Sequence, residues 1–241
     1  MNQDPLSERA PLPQALARPE RGRVLCIVPH ADDDVLGVGG TSALHVEQGD
    51  PVKVLVVYDG VAGDPERRHD PAELRARRRA EARAGGRHLG LSDYEFWDYP
   101  EGHLPSQVEL GAAAQRLAAL VRAHAPDIVY APWVGEQHVD HHVLARAARI
   151  ALAKAQFAGR AWGFEVWSPL VPTRVIDITP VYERKCAALR EHASQLAYHD
   201  ILHKGLALSA HRAMYLSKAA RHGEGFAPLG EPFGTDRALV D

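Results

Sequence analysis

The sequence predicts an α/β domain in three layers, with helices on both faces of a mainly parallel sheet. Three observations carry that prediction. Short apolar, β-branched runs at residues 24–28, 52–58 and 128–130 read as strands buried on both faces. Segments with helical spacing alternate with these runs along the chain. The 241 residues, 46% hydrophobic and 24% charged, supply a core large enough for one domain of this size.

Taken in order, residues 1–22 hold Pro5, Pro11, Pro13 and Pro19 without apolar periodicity and are expected to form an extended N-terminal arm. A strand over 24–28 leads through a polar loop at 29–34 into a helix over 35–48, with Leu36, Thr41, Leu44 and Val46 at helical spacing. The strand at 52–58 then completes a right-handed βαβ unit. After a loop with Gly60, Gly63 and Pro65, an Arg- and Ala-rich helix runs over 71–89 and stops at Gly90. A third strand is expected at 94–97, and a helix over 110–124 places Leu117, Leu120 and Val121 on one face before Pro126 ends it. The strand at 128–130 is followed by a loop to 140 and a helix over 141–156. Edge strands are expected at 161–167 and 174–178, then a helix from 181 to about 197 and an irregular C-terminus. The prediction is a single Rossmann-like αβα sandwich over residues 23–241, of which about 180–241 form a C-terminal extension packed on the core.

Charge and composition exclude several classes of function. Lys and Arg number 28 against 31 Asp and Glu, a net charge of −3 with no excess to neutralise phosphates, so a nucleic-acid partner is not expected. The run Arg75, Arg77, Arg78, Arg79, Arg83 and Arg87 alternates with Ala, lacks aromatic stacking platforms and reads as a solvated helix face. No apolar stretch is long enough for a membrane span, and the first 20 residues do not have the pattern of an export signal. Two cysteines, Cys26 and Cys186, in apolar or helical segments suit a cytoplasmic protein without a disulfide framework. A homo-oligomer is compatible with these features. The glycines at Gly37, Gly39 and Gly40 have the wrong spacing for a dinucleotide fingerprint and lie inside a helix, where close packing on the sheet explains them.

The chemistry is concentrated in two loops that each follow a strand. In Pro29-His30-Ala31-Asp32-Asp33-Asp34, three consecutive carboxylates repel one another unless a cation is present. The second loop is Gln137-His138-Val139-Asp140-His141-His142. If the strands ending at Val28 and Tyr130 are neighbours at the switch point of the sheet, both loops open into one crevice. Two imidazoles and a carboxylate with a free fourth position suit a catalytic metal site.

These residues resemble the PIG-L or LmbE-like family of zinc-dependent N-acetylglucosamine deacetylases, whose hallmarks are a His-Pro-Asp-Asp-Glu loop and a later His-x-Asp-His. The resemblance implies that His30, Asp33 and His141 bind Zn2+ or another divalent transition metal such as Fe2+. It also implies that Asp32 is the general base, that His138 steadies the oxyanion, and that Arg78 reaches the substrate. Weaker echoes are Gly39-Gly40-Thr41, Arg78 with Glu81, Glu101-Gly102, which adds Glu101 to the substrate contacts, and the stretch from Lys185 to His192-Ala193-Ser194-Gln195. Ala31 and Asp34 replace the family's proline and glutamate. The implied reaction is hydrolysis of an N-acetyl group on an amino sugar or glycoconjugate by metal-activated water, with His138 protonated and held by Asp140.

Other readings of the same residues stand beside this one. Asp34 is also read as the N-cap of the helix that follows it, and Asp140 as the N-cap of its own helix. His142 is expected to be exposed, and His45, His69, His88, His124 and His211 to be surface residues without partners. Trp133 either stacks on a sugar face or packs at the rim. The rival functions are a magnesium phosphohydrolase with Asp32 as nucleophile and Asp34 as acid, and a non-catalytic metal- or sugar-binding protein.

Overall fold

The structure is a computed structural model that describes residues 12–230. Residues 1–11 of the expected arm and 231–241 of the expected extension lie outside the described residues. In chain order the elements are β1 (Gln14–Leu16), β2 (Val24–Val28), α1 (Asp33–Glu47), β3 (Val52–Tyr58), α2 (Pro71–Leu89), β4 (Asp93–Tyr99), α3 (Gln107–His124) and β5 (Ile128–Pro132). Then follow α4 (Val139–Lys154), β6 (Arg160–Phe164), β7 (Arg174–Asp177), α5 (Tyr182–Arg190), α6 (Ala193–Leu196), α7 (Ile201–Arg212) and β8 (Gly223–Pro228). The strands form one sheet in the order β1-β7-β8-β6-β5-β2-β3-β4. β8 runs antiparallel to both neighbours, and the other described pairings are parallel.

β2 lies where the connections diverge, with Val24 opposite Val52 of β3 on one side and Ile128 of β5 on the other. Every residue of β2 is fully buried because each face of the sheet is covered. Val24, Cys26 and Val28 join Val35 and Val38 of α1 and Leu189 of α5 in one cluster. Leu25 and Ile27 join Leu117 and Val121 of α3 and Leu144 and Ala148 of α4 in the other. A strand whose alternate residues feed two cores has no polar face to show, which is why its sequence reads as a continuous apolar run. The chain therefore leaves β2 and β5 toward opposite faces, and a crevice opens between their C-terminal ends.

Helix termini follow local chemistry. Asp70 caps α2 by accepting from the N–H groups of Ala72 and Glu73, with Pro71 in the first turn. α3 begins three residues earlier than its apolar face suggests, because Ser106 and Glu109 form a reciprocal capping box.

The expectations for the edges and the C-terminus need correction. β6 and β7 are interior, and the edges are β1, which pairs with β7, and β4. The helix expected from 181 to 197 breaks after Arg190, α7 follows it, and residues 223–228, read as irregular, form β8 between β6 and β7. The signal for β8 is weak because Gly223-Glu224-Gly225 puts a carboxylate between glycines at a buried position. Glu224 is 4% exposed, and Lys185, fully buried, donates to it at 2.6 Å. Lys185 also donates to the carbonyl of Leu36 at 2.8 Å, while Glu224 accepts from the N–H groups of Gly40 and Thr41 at 2.8 Å each. Leu36 and Gly40 are one i, i+4 step of α1, so the ion pair engages both ends of that step.

Candidate active site

His30 follows β2 by two residues, Asp32 is the N-cap of α1 and Asp33 its first helical residue. His138 is the N-cap of α4, so Asp140 and His141 lie in its first turn. Because β2 and β5 are adjacent, the two loops meet at their common C-terminal end. They line a cleft of about 390 Å³ together with Leu36, Arg78, Glu101 and Trp167.

His30, Asp33 and His141 form a buried group whose ligand-capable atoms all lie within 4.8 Å of one another, and His30, His138 and Asp140 form a second such group. Asp33 Oδ2 is 3.0 Å from His30 Nδ1 and 3.1 Å from His141 Nε2. His141 is fully buried, yet neither of its ring nitrogens has a hydrogen-bond partner among the described residues. Nε2 thus faces the carboxylate oxygen without hydrogen-bond alignment, as two donors to a common cation would. This orphaned nitrogen and the two-imidazole, one-carboxylate donor set fit a divalent transition metal. Without a metal, burial pulls the His30 imidazole down, but its hydrogen bonds to Asp140 and Asp33 outweigh burial and push it up to about 10. Burial raises Asp33, and the adjacent His141 and His30 outweigh it and hold the carboxyl well below its ordinary range. Without a metal, the raised His30 imidazole thus carries the positive charge that Asp33 and Asp140 face.

Asp140 is placed differently from the sequence expectation. Its Oδ2 lies 3.2 Å from His30 Nε2 and 3.9 Å from His138 Nδ1, and its Oδ1 accepts from the N–H of Gly102 at 2.8 Å. The carboxylate therefore pairs with His30 and does not cap α4. Gly102 adopts φ +68°, a backbone form that a side chain would strain, and this turn aims its N–H at Asp140. Burial, then the neighbouring imidazoles, lowers His138, so the neutral ring is favoured here despite Asp140. Glu101 Oε1 sits 3.2 Å from His30 Nε2, while its other oxygen accepts from the N–H of Ala62. Arg78, expected on a solvated face, is 3% exposed and donates to Gly60 O at 2.9 Å and Asp32 Oδ1 at 3.3 Å.

Several further expectations are overturned. Asp34 is not an N-cap: it lies within α1, 1% exposed, and accepts from the hydroxyl of Tyr94 at 2.6 Å. Burial pushes its carboxyl up to about 7, and it faces Tyr94 instead of the cleft, away from Asp32 and the position an Asp-nucleophile mechanism would give it. Trp133 is buried, donating from Nε1 to Ser168 O at 2.8 Å. The aromatic wall is instead Trp167, 63% exposed, with its ring stacked 5.9 Å from that of His138. His45 is fully buried, its nitrogens 2.9 Å from Asp50 and 3.1 Å from the Tyr130 hydroxyl. His142 is exposed, as expected. Sequence reading also missed Glu136, whose one signal was a carboxylate two positions before His138.

A mainly parallel α/β sheet that brings two His/Asp loops into one crevice at its switch point defines a metal-binding α/β protein. The chain belongs to the PIG-L family, whose model, described as GlcNAc-PI de-N-acetylase, matches residues 25–152. It is 29% identical over 194 residues to the diacetylchitobiose deacetylase of Thermococcus kodakarensis, covering 72% of this chain and 70% of that protein. It is also 29% identical over 192 residues to the 4-oxalmesaconate hydratase of Pseudomonas putida, covering 71% of this chain and 73% of that one. Among solved structures, the N,N'-diacetylchitobiose deacetylase from Pyrococcus horikoshii superposes with a TM-score of 0.74 at 27% identity, over 85% of this chain and 82% of that one. Among the described residues no helix is long and apolar enough to cross a membrane.

Proposed function

We propose that the protein is a zinc-dependent deacetylase that removes an N-acetyl or other N-acyl group from an amino sugar or glycoconjugate. The observation that carries this reading is the buried His30, Asp33 and His141 group with the carboxylate of Asp32 beside it in the same cleft. His30, Asp33 and His141 would hold the ion, which would supply Lewis acidity at the site. Asp32, held by Arg78, takes the proton of the attacking water and returns it to the leaving amine. His138 donates an N–H to the carbonyl oxygen as negative charge develops there, which a neutral imidazole can still do. Asp140 holds the outer nitrogen of His30 and keeps that imidazole oriented. Arg78 and Glu101 form the wall that meets the sugar.

Cys26 and Cys186 are free and buried, which supports a cytoplasmic location. The test is acetate release from a panel of N-acetylated mono- and disaccharides by zinc-loaded protein. Turnover that disappears in Asp32→Asn supports the proposal, and no release from any N-acyl sugar by metal-loaded protein refutes it.

A further inference from the structure

Outside the residues used above, one more buried carboxylate stands immediately before the second loop. Glu136 is 3% exposed and lies between β5 and α4. Its Oε1 accepts from the N–H groups of Val166 at 2.6 Å, Trp167 at 3.1 Å and Ser168 at 3.4 Å, and its Oε2 is 3.3 Å from the Trp167 N–H. The same Oε2 lies 3.7 Å from Nδ1 of His141, a buried nitrogen with no hydrogen-bond partner. That separation is just beyond hydrogen-bond length. One carboxylate therefore faces a candidate metal ligand on one side and, on the other, holds the turn that carries Trp167 over His138.

We propose that Glu136 is a positioning residue that accepts the Nδ1 proton of His141, turning Nε2 toward the metal, and so ties occupancy of the metal centre to the placement of the Trp167 wall. The inference rests on the metal centre proposed above.

The chemistry requires a partner at this point. An imidazole that gives Nε2 to a metal carries its proton on Nδ1, and that proton is buried here with Glu136 facing it. Closing the 3.7 Å gap between His141 Nδ1 and Oε2 would draw on a carboxylate that already holds the N–H groups of Val166, Trp167 and Ser168, which couples the two sides. Beyond this turn the chain is held by Glu165, which accepts from the N–H of Leu170 at 2.8 Å while paired with Arg212 at 2.6 Å. A carboxylate present only to cap the turn would satisfy the three N–H groups and leave His141 indifferent to it.

The test titrates zinc into metal-free protein against a chromophoric chelator while tryptophan emission is followed. Trp167→Phe assigns the emission change to Trp167. In Glu136→Gln the amide oxygen still accepts from the turn, but an NH2 group faces the Nδ1 proton. The expected result is zinc affinity lower by roughly 10 to 100-fold and loss of the metal-linked Trp167 signal. Wild-type affinity with an intact signal in folded Glu136→Gln overturns the inference and leaves the deacetylase reading standing. Absence of zinc binding in the wild type overturns the metal centre and this inference with it. Should Glu136→Gln fail to fold, 15N shifts of the His141 ring in zinc-loaded wild type decide the question. A proton on Nδ1 is expected, and a proton on Nε2 overturns the inference.

Discussion

Lys185→Met is the most demanding stability test of this fold. Lys185 is fully buried and its ammonium donates at 2.6 Å to Glu224, itself 4% exposed, and at 2.8 Å to Leu36 O. Methionine fills similar volume, so the loss is mainly electrostatic: a buried carboxylate keeps its two N–H donors but loses its countercharge. Removing one partner of such a pair costs about 3–5 kcal/mol. For a chain of this length each kcal/mol corresponds to roughly 2–4 °C, so Tm should fall by about 6–20 °C. The assay is calorimetric unfolding in chelator, which removes metal linkage. In Lys185→Met/Glu224→Gln the amide oxygen still accepts from Gly40 or Thr41, so the double variant should be more stable than Lys185→Met alone. A fall of less than about 3 °C in Lys185→Met, or a double variant no better than the single one, would falsify the claim that the pair secures β8 against α1. Because α1 begins at Asp33, the same variant should also bind zinc more weakly.

Other outcomes follow from the site. His30→Ala, Asp33→Ala and His141→Ala should each lose bound metal by elemental analysis, and full occupancy in Asp33→Ala would remove that residue from the ligand set. Asp32→Asn should retain metal and fold while turnover falls by roughly 100 to 10,000-fold, as expected for loss of a general base; near wild-type kcat would send the proton elsewhere. Trp167→Ala should raise KM for an N-acetylated sugar with little change in Tm, because the side chain is exposed; an unchanged KM would show that the ring does not meet substrate. Burial holds His45 below its ordinary 6.5, so the folded protein binds that proton less readily than the unfolded chain. Its contribution to stability is present above about pH 6.5 and is lost as pH falls toward the folded-state value. His45→Gln should therefore show a shallower decline of Tm between about pH 7 and 5, and an unchanged slope would assign the decline to other groups.

The sheet core and the location of the site are legible in the amino-acid sequence. β2, β3 and β5 are legible because burial on both faces forces uninterrupted apolar runs, and the two His/Asp loops stand out because no core tolerates such charge without a cation. What each carboxylate faces depends on how the chain packs. Asp32, Asp33 and Asp34 are consecutive, yet the first reaches Arg78, the second His30 and His141, and the third Tyr94, because the N-terminal turn of α1 points them in different directions. Asp140 pairs with His30, 110 positions away, and His45 finds Asp50 and Tyr130 in the core. β8 was invisible because its burial depends on Lys185, supplied by a helix 39 positions earlier. Periodicity reports which face a residue turns inward, but a charged group's partner is set by how distant segments pack, and one chain segment does not encode that.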